Sequence, residues 1–137
     1  KTDSAKKPVE QYTGHILLAE DNELNQEIAE TILTDAGFTV DIAGNGQIAV
    51  DMVKNSKPGY YQLVLMDVRM PVKDGYEATR EIRRLENKKL ASVPIIAMTA
   101  NAFKEDKEEA LRQGMDAHIA KPIEIETLFE ALEKVFS

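Results

Sequence analysis

Leu63-Val64-Leu65-Met66-Asp67 is the stretch on which the fold turns: four apolar residues with no polar break, ending on a carboxylate. A strand with one wet face would alternate apolar and polar residues. An unbroken run suits a strand covered on both faces, as in a parallel sheet. Ile16-Leu17-Leu18-Ala19 and Ile95-Ile96-Ala97-Met98 read the same way. Phe38-Thr39-Val40-Asp41-Ile42 alternates more and suits an edge, and Ala117-His118-Ile119 is a fifth short run.

Helical periods lie between these runs. Leu24, Ile28 and Ile32 recur at a spacing of four, flanked by Ala29, Leu33 and Ala36, until Gly37 stops the helix. A second helix is expected over 47–55, with Ile48, Ala49, Met52 and Val53 inward. A third covers 76–86 through Ala78, Thr79, Ile82 and Leu85. A fourth, 104–113, is thinly amphipathic, with only Ala110 and Leu111 facing a core before Gly114. A fifth, 125–136, packs through Leu128, Phe129, Leu132 and Val135. Five strand-then-helix units with right-handed crossovers make a doubly wound α/β sandwich with helices on both faces. One common strand order for five strands is 2-1-3-4-5, in which ligands bind at the carboxyl ends of strands 1 and 3.

Composition bounds the function. The chain has 137 residues, 43% hydrophobic and 30% charged, which suits one domain with one core. A net charge of −7 disfavours direct nucleic-acid binding. Arg83, Arg84, Lys88 and Lys89 form the one basic cluster and are expected to be a solvated helix end. No apolar run approaches the ~20 residues of a membrane span. With no Cys, disulfides, thiolate catalysis and zinc-thiolate sites are excluded. Residues 1–13 are polar and read as a linker or expression remnant, leaving 14–137 as the domain. The missing initial Met leads us to expect either a piece of a longer protein or a processed chain.

The strand ends carry the chemistry. Strand 1 runs into Glu20-Asp21-Asn22, strand 3 into Asp67, strand 4 into Thr99-Ala100 and strand 5 into Lys121-Pro122. Each has an ordinary alternative: Asp67 as a turn cap, Glu20-Asp21 as helix N-terminal acids, Thr99 and Lys121 as loop residues. Together they converge on one crevice. At ~4 Å and an effective dielectric of ~20, each close pair of carboxylates costs about 4 kcal/mol. A cation relieves this, and Mg2+, which takes hard oxygen ligands and keeps several waters, fits; Mn2+ is a plausible substitute. Asp21 and Asp67 would ligate directly, with Glu20 acting through water. An Asp carboxylate is a nucleophile for phosphoryl transfer, and charge develops on the equatorial oxygens of the transferred group. The cation, Lys121 and the Thr99 hydroxyl can each meet one of those oxygens.

Leu17 to Asn22, Met66 to Pro71, Asp74-Gly75, Met98-Thr99-Ala100 and Ala120-Lys121-Pro122 resemble the receiver (response regulator) domain family of two-component signalling, over about His15 to Phe136. The resemblance implies a flavodoxin-like (βα)5 fold of order 2-1-3-4-5. It makes Asp67 the phosphoacceptor, Glu20 and Asp21 the acidic pocket and the Arg69 main-chain carbonyl a further Mg2+ ligand. Thr99 would be the switch hydroxyl and Lys121 the phosphoryl contact, with a cis bond frequent at the position of Lys121-Pro122. The family's switch aromatic is usually Tyr or Phe; here it is His118, which titrates near neutrality. Arg69 would lie near the site and affect water access and phosphoryl lifetime.

The wording around Asn22 to Gln26, Met98 to Ala102 and Gly114 to His118 looks most like receivers fused to hybrid histidine kinases. This implies a phosphohistidine donor on a histidine kinase or histidine phosphotransfer domain, docked by apolar residues of the first helix such as Ile28 or Ala29. The face of the fourth helix, fifth strand and fifth helix would read out the state. The location implied is cytoplasmic, on a sensor kinase or on a single-domain regulator. The domain would assist its own phosphorylation and dephosphorylation, while histidine kinase activity would belong to a parent chain. Two other classes fit less well. A haloacid-dehalogenase-like phosphatase expects its nucleophile after the first strand and a second Asp where Arg69 stands. A flavin or nucleotide binder would need a phosphate-cradling loop where Glu20-Asp21 repels phosphate.

Overall fold

The computed structural model describes residues 14–101 and 103–136; the expected linker, 1–13, lies outside them. Strands β1 (Gly14–Ala19), β2 (Phe38–Ala43), β3 (Tyr61–Asp67), β4 (Ile95–Thr99) and β5 (Ala117–Ala120) form one sheet. Every pairing is parallel and the order is β2-β1-β3-β4-β5. The connecting helices are α1 (Glu23–Asp35), α2 (Gly46–Lys54), α3 (Gly75–Arg83), a short α4 (Lys88–Ala91), α5 (Lys104–Arg112) and α6 (Ile125–Phe136).

The unbroken apolar runs are explained by two half-cores. Ile16, Leu18, Leu63, Leu65, Ile96 and Met98 point to the side covered by α1 and α6. Leu17, Ala19, Val64, Met66, Ile95 and Ala97 point to the side covered by α2, α3 and α5. Successive strand residues face opposite ways, so a strand buried on both faces needs apolar residues at every position. The alternating strand β2 stands at the edge, as its pattern required.

Local chemistry sets the helix starts on the site side. Asn22 caps α1 by accepting from Asn25 N at 2.9 Å, and Asn45 caps α2 by accepting from Ile48 N at 2.9 Å. Asp74 and Glu77 form a reciprocal capping box on α3. Gly37, at φ 111°, ends the turn after α1 in a region that L side chains rarely adopt.

Several packing expectations are corrected. On α1 the buried stripe is Ala29, Leu33 and Ala36, while Leu24 and Ile28 are exposed. Ala29, expected to dock a partner, is thus a core residue. Ile48 and Leu111, expected inward, are also exposed. One apolar face exceeds what a helix can bury against a single sheet side, so the flanking positions stay wet. The third helix ends at Arg83, short of the expected 86. Arg84, Lys88 and Lys89 are exposed as expected, but Arg83 is not a solvated helix end. Its guanidinium donates to the carbonyls of Ala91 (2.7 Å), Val93 (2.7 Å) and Gly114 (2.8 Å) and pairs with Asp116 at 3.0 Å. A planar fork with five donors ties α3 to the chain entering β4 and the chain entering β5.

Candidate active site

Four strand ends assemble the site at the carboxyl edge of the sheet. β1 delivers Glu20 and Asp21, and β3 delivers Asp67 as its last residue. β4 ends on Thr99, and the segment after β5 supplies Lys121. The Lys121 N–H donates to the Thr99 carbonyl at 2.7 Å, bringing the last two together, and the Lys121-Pro122 bond is cis.

Glu20 and Asp67 are each 2% exposed, whereas Asp21 is open to solvent. One carboxylate oxygen from each of the three lies within 4.8 Å of those of the others. The Lys121 ammonium sits 3.1 Å from Asp67 Oδ2 and 3.6 Å from Glu20 Oε1. Main-chain donors complete the set. Arg69 N–H reaches Asp67 Oδ1 at 3.3 Å, and Asn22 N–H reaches Glu20 Oε2 at 3.1 Å. Burial pushes the Glu20 carboxyl above its usual range. The Asn22 N–H opposes this, the Asp67 charge adds to it and the Lys121 charge opposes it.

The donor set fits a hard divalent cation. Three carboxylates face one ammonium, so negative charge is left over. All the side-chain donors are oxygens, which suits Mg2+ better than a thiophilic metal. A shallow cleft beside the cluster is lined by Asp21, Val68, Arg69, Met70 and Asp74, with the exposed Arg69 at its rim.

Thr99 is buried, and its hydroxyl donates to the Asn101 carbonyl and lies 3.5 Å from that of Ile119. His118 is on β5, beside Ala97 of β4, and is half-buried. Its Nε2 is buried without a hydrogen-bond partner, and burial lowers its pKa below the usual imidazole value.

Two residues that stand in the matched segments, Gln26 and Gly75, have positioning roles that the sequence reading did not assign. Gln26 Nε2 donates to the Glu20 carbonyl at 2.6 Å from one turn into α1. Gly75 starts α3 against the Asp67 main chain; a Cβ there would fall well under 3.0 Å from the Asp67 carbonyl oxygen. The Asp74-x-x-Glu77 spacing could have flagged the second, since a capping box marks a helix start. No local signal marks Gln26.

A doubly wound fold with acids after strands 1 and 3 and a lysine after strand 5 defines a class of proteins with an acidic, cation-suited site at the carboxyl edge of the sheet. The chain belongs to the response regulator receiver domain family, whose model matches residues 16–133. It is 43% identical over 119 residues to hybrid signal transduction histidine kinase I of Dictyostelium discoideum, covering 85% of this chain and 7% of that protein. It is 45% identical over 123 residues to two-component system protein A of Emericella nidulans, covering 89% of this chain and 17% of that protein. The chain therefore spans a small part of these relatives. Among solved structures it resembles the receiver domain of a Pseudomonas aeruginosa sensor histidine kinase, with a magnesium ion coordinated in the active-site cleft. That match has a TM-score of 0.78 and 41% identity, over 91% of this chain and 99% of that one. It also resembles the receiver domain of the Saccharomyces cerevisiae response regulator Ssk1, crystallised with the histidine phosphotransfer protein Ypd1. Here the TM-score is 0.76 and the identity 30%, over 90% of each chain. No helix among the described residues is long and apolar enough to cross a membrane.

Proposed function

We propose that Asp67 is the phosphoacceptor of this receiver and that residues 14–137 are the unit that carries it. The observation behind the proposal is the meeting of Glu20, Asp21 and Asp67 with the Lys121 ammonium, 3.1 Å from Asp67. An Asp67 oxygen forms a bond to phosphorus as the phosphorus–nitrogen bond to the donor imidazole breaks, and that bond's electron pair leaves with the nitrogen. Lys121 neutralises charge on the transferred oxygens, and the Arg69 N–H holds the nucleophile's other oxygen in place. Glu20, Asp21, Asp67 and the Arg69 carbonyl would hold Mg2+, or Mn2+ in its stead. When bound, that cation supplies electrostatic neutralisation of the phosphoryl oxygens.

Thr99 is the switch hydroxyl in this reading: it gives up the Asn101 carbonyl for a phosphoryl oxygen, and the segment leading to α5 follows. His118 takes the family's aromatic switch position, and the α5-β5-α6 face reads out the change. The Arg69 side chain, exposed at the cleft rim, sets water access and so phosphoryl lifetime. The donor is a phosphohistidine on a histidine kinase or histidine phosphotransfer domain, as the Ypd1 complex of a relative supports. The setting is a hybrid sensor kinase, in keeping with a relative named as a hybrid signal transduction histidine kinase, and the proposed location is cytoplasmic. Intact-mass analysis after acetyl phosphate and Mg2+ tests the core of this reading. One added phosphoryl group is expected, absent with EDTA and in Asp67→Asn; a gain that persists in Asp67→Asn would refute it.

A further inference from the structure

Among the described residues, three buried side-chain atoms lack a hydrogen-bond partner: Thr79 Oγ1, Asp106 Oδ2 and His118 Nε2. Buried polar atoms are normally paired, so each exception asks for a reason. Two of the three belong to elements packed on each other. Asp106 is in the first turn of α5, and His118 is on β5. His118 lies beside Ala97, whose side chain is on the α5 side of the sheet, so the imidazole points beneath α5. Asp106 is the carboxylate whose charge acts most on the ring, with Lys107 of the same helix opposing it. Across the groove beside His118 stand Asp116 from the turn entering β5, and Glu130 and Lys134 of α6. β4 offers the ring only apolar neighbours at this level, and on α3 it is Tyr76 that feels the Asp106 charge.

The N-cap position of α5 is Phe103, which makes no side-chain cap hydrogen bond, whereas α1, α2 and α3 are each capped by a side chain. The segment before it is tied to the Thr99 hydroxyl through the Asn101 carbonyl. We propose that release of that carbonyl lets the first turn of α5 settle so that His118 and Asp106 close into a hydrogen-bonded ion pair, a proton-dependent latch on the α5-β5 face. In the resting arrangement burial disfavours the charged imidazole and lowers its pKa below the usual value. In the latched arrangement a carboxylate accepts from it and the proton is held. Acid conditions and phosphorylation then favour the same conformation, so each strengthens the other. The inference rests on Asp67 as phosphoacceptor and Thr99 as switch.

NMR titration of the imidazoles tests it on the whole chain, with and without beryllium fluoride as a tetrahedral phosphoryl mimic at Asp67. His15, the other of the two histidines and stacked on Tyr60 just before β3, is the internal reference. Activation is expected to make His118 bind its proton ~10-fold more tightly, and Asp106→Asn to remove most of that gain. The wild-type comparison decides alone should the variant fail to fold. Fluorine NMR reports beryllium fluoride binding separately. Binding with no change at His118, or an equal change in Asp106→Asn, would overturn the latch alone. No binding to the wild type would overturn the phosphoacceptor reading beneath it.

Discussion

Replacing Lys121 by Met removes a charge while keeping most of the side chain's length, and its effect can be worked from two distances. The ammonium lies 3.1 Å from Asp67 Oδ2 and 3.6 Å from Glu20 Oε1. At an effective dielectric of ~20, these separations correspond to gross attractions of roughly 5 kcal/mol each. The net loss is smaller, since desolvation of the ammonium is recovered and its side chain keeps 26% exposure. Removing one partner of a buried pair costs 3–5 kcal/mol in general, and the lower end, about 3 kcal/mol, is expected here. The sign with pH follows from Glu20, whose carboxyl is already held above its usual range. Without Lys121 one of the lowering influences is gone, so Glu20 holds its proton to still higher pH in the folded variant. The deficit against wild type is therefore full at pH 8 and shrinks as pH falls through the carboxylate range. Urea unfolding at pH 8 and pH 5, with and without Mg2+, reads this directly. Phosphorylation from acetyl phosphate should slow by about 10²-fold, as when a positioned electrostatic partner is lost. A deficit under ~0.5 kcal/mol at pH 8, or one equal at both pH values, would refute the electrostatic reasoning.

Two further substitutions separate positioning from charge. Gly75→Ala places a methyl against the Asp67 backbone and 3.0 Å from Met66 Cγ, so α3 must back away; a loss of about 1–3 kcal/mol in urea unfolding is expected, together with slower phosphorylation. Gly44→Ala is its control, since a Cβ there meets nothing within 4 Å, and it should unfold as wild type does. Arg83→Met removes the donor to three main-chain carbonyls and the cation beside Asp116, which keeps the Ile95 N–H, and a thermal melt should show a loss of about 2–4 kcal/mol with the acidic cluster's affinity for Mg2+ unchanged.

Much of this architecture was legible because it is written in one-dimensional patterns. Apolar runs without alternation require two-sided cover, and Gly37 and Gly114 punctuate the helices. The acids, hydroxyl and lysine were legible because each immediately follows a strand, and a parallel sheet aligns its strand ends. What failed was finer. The apolar residues of α1 span a wider arc than the sheet covers, so spacing alone did not separate buried Ala29 from exposed Ile28. Arg83 looked like its basic neighbours because charge says nothing about which side of a helix a residue takes. Gln26 acts through a main-chain contact that carries no compositional mark, and the capping box beside Gly75 marks a helix start without showing how closely α3 approaches Asp67.

By itself the sequence determined the strand and helix order, the parallel sheet and the identity of the chemical groups, because periodicity and strand-end position are properties of the chain. Only tertiary structure decided that Lys121 stands between two buried carboxylates, that Gly75 lets α3 crowd Asp67, and that Asp106 Oδ2 and His118 Nε2 are buried atoms without hydrogen-bond partners. Those facts depend on distances between segments far apart in the chain, which hydrophobic patterning brings together without specifying to the ångström.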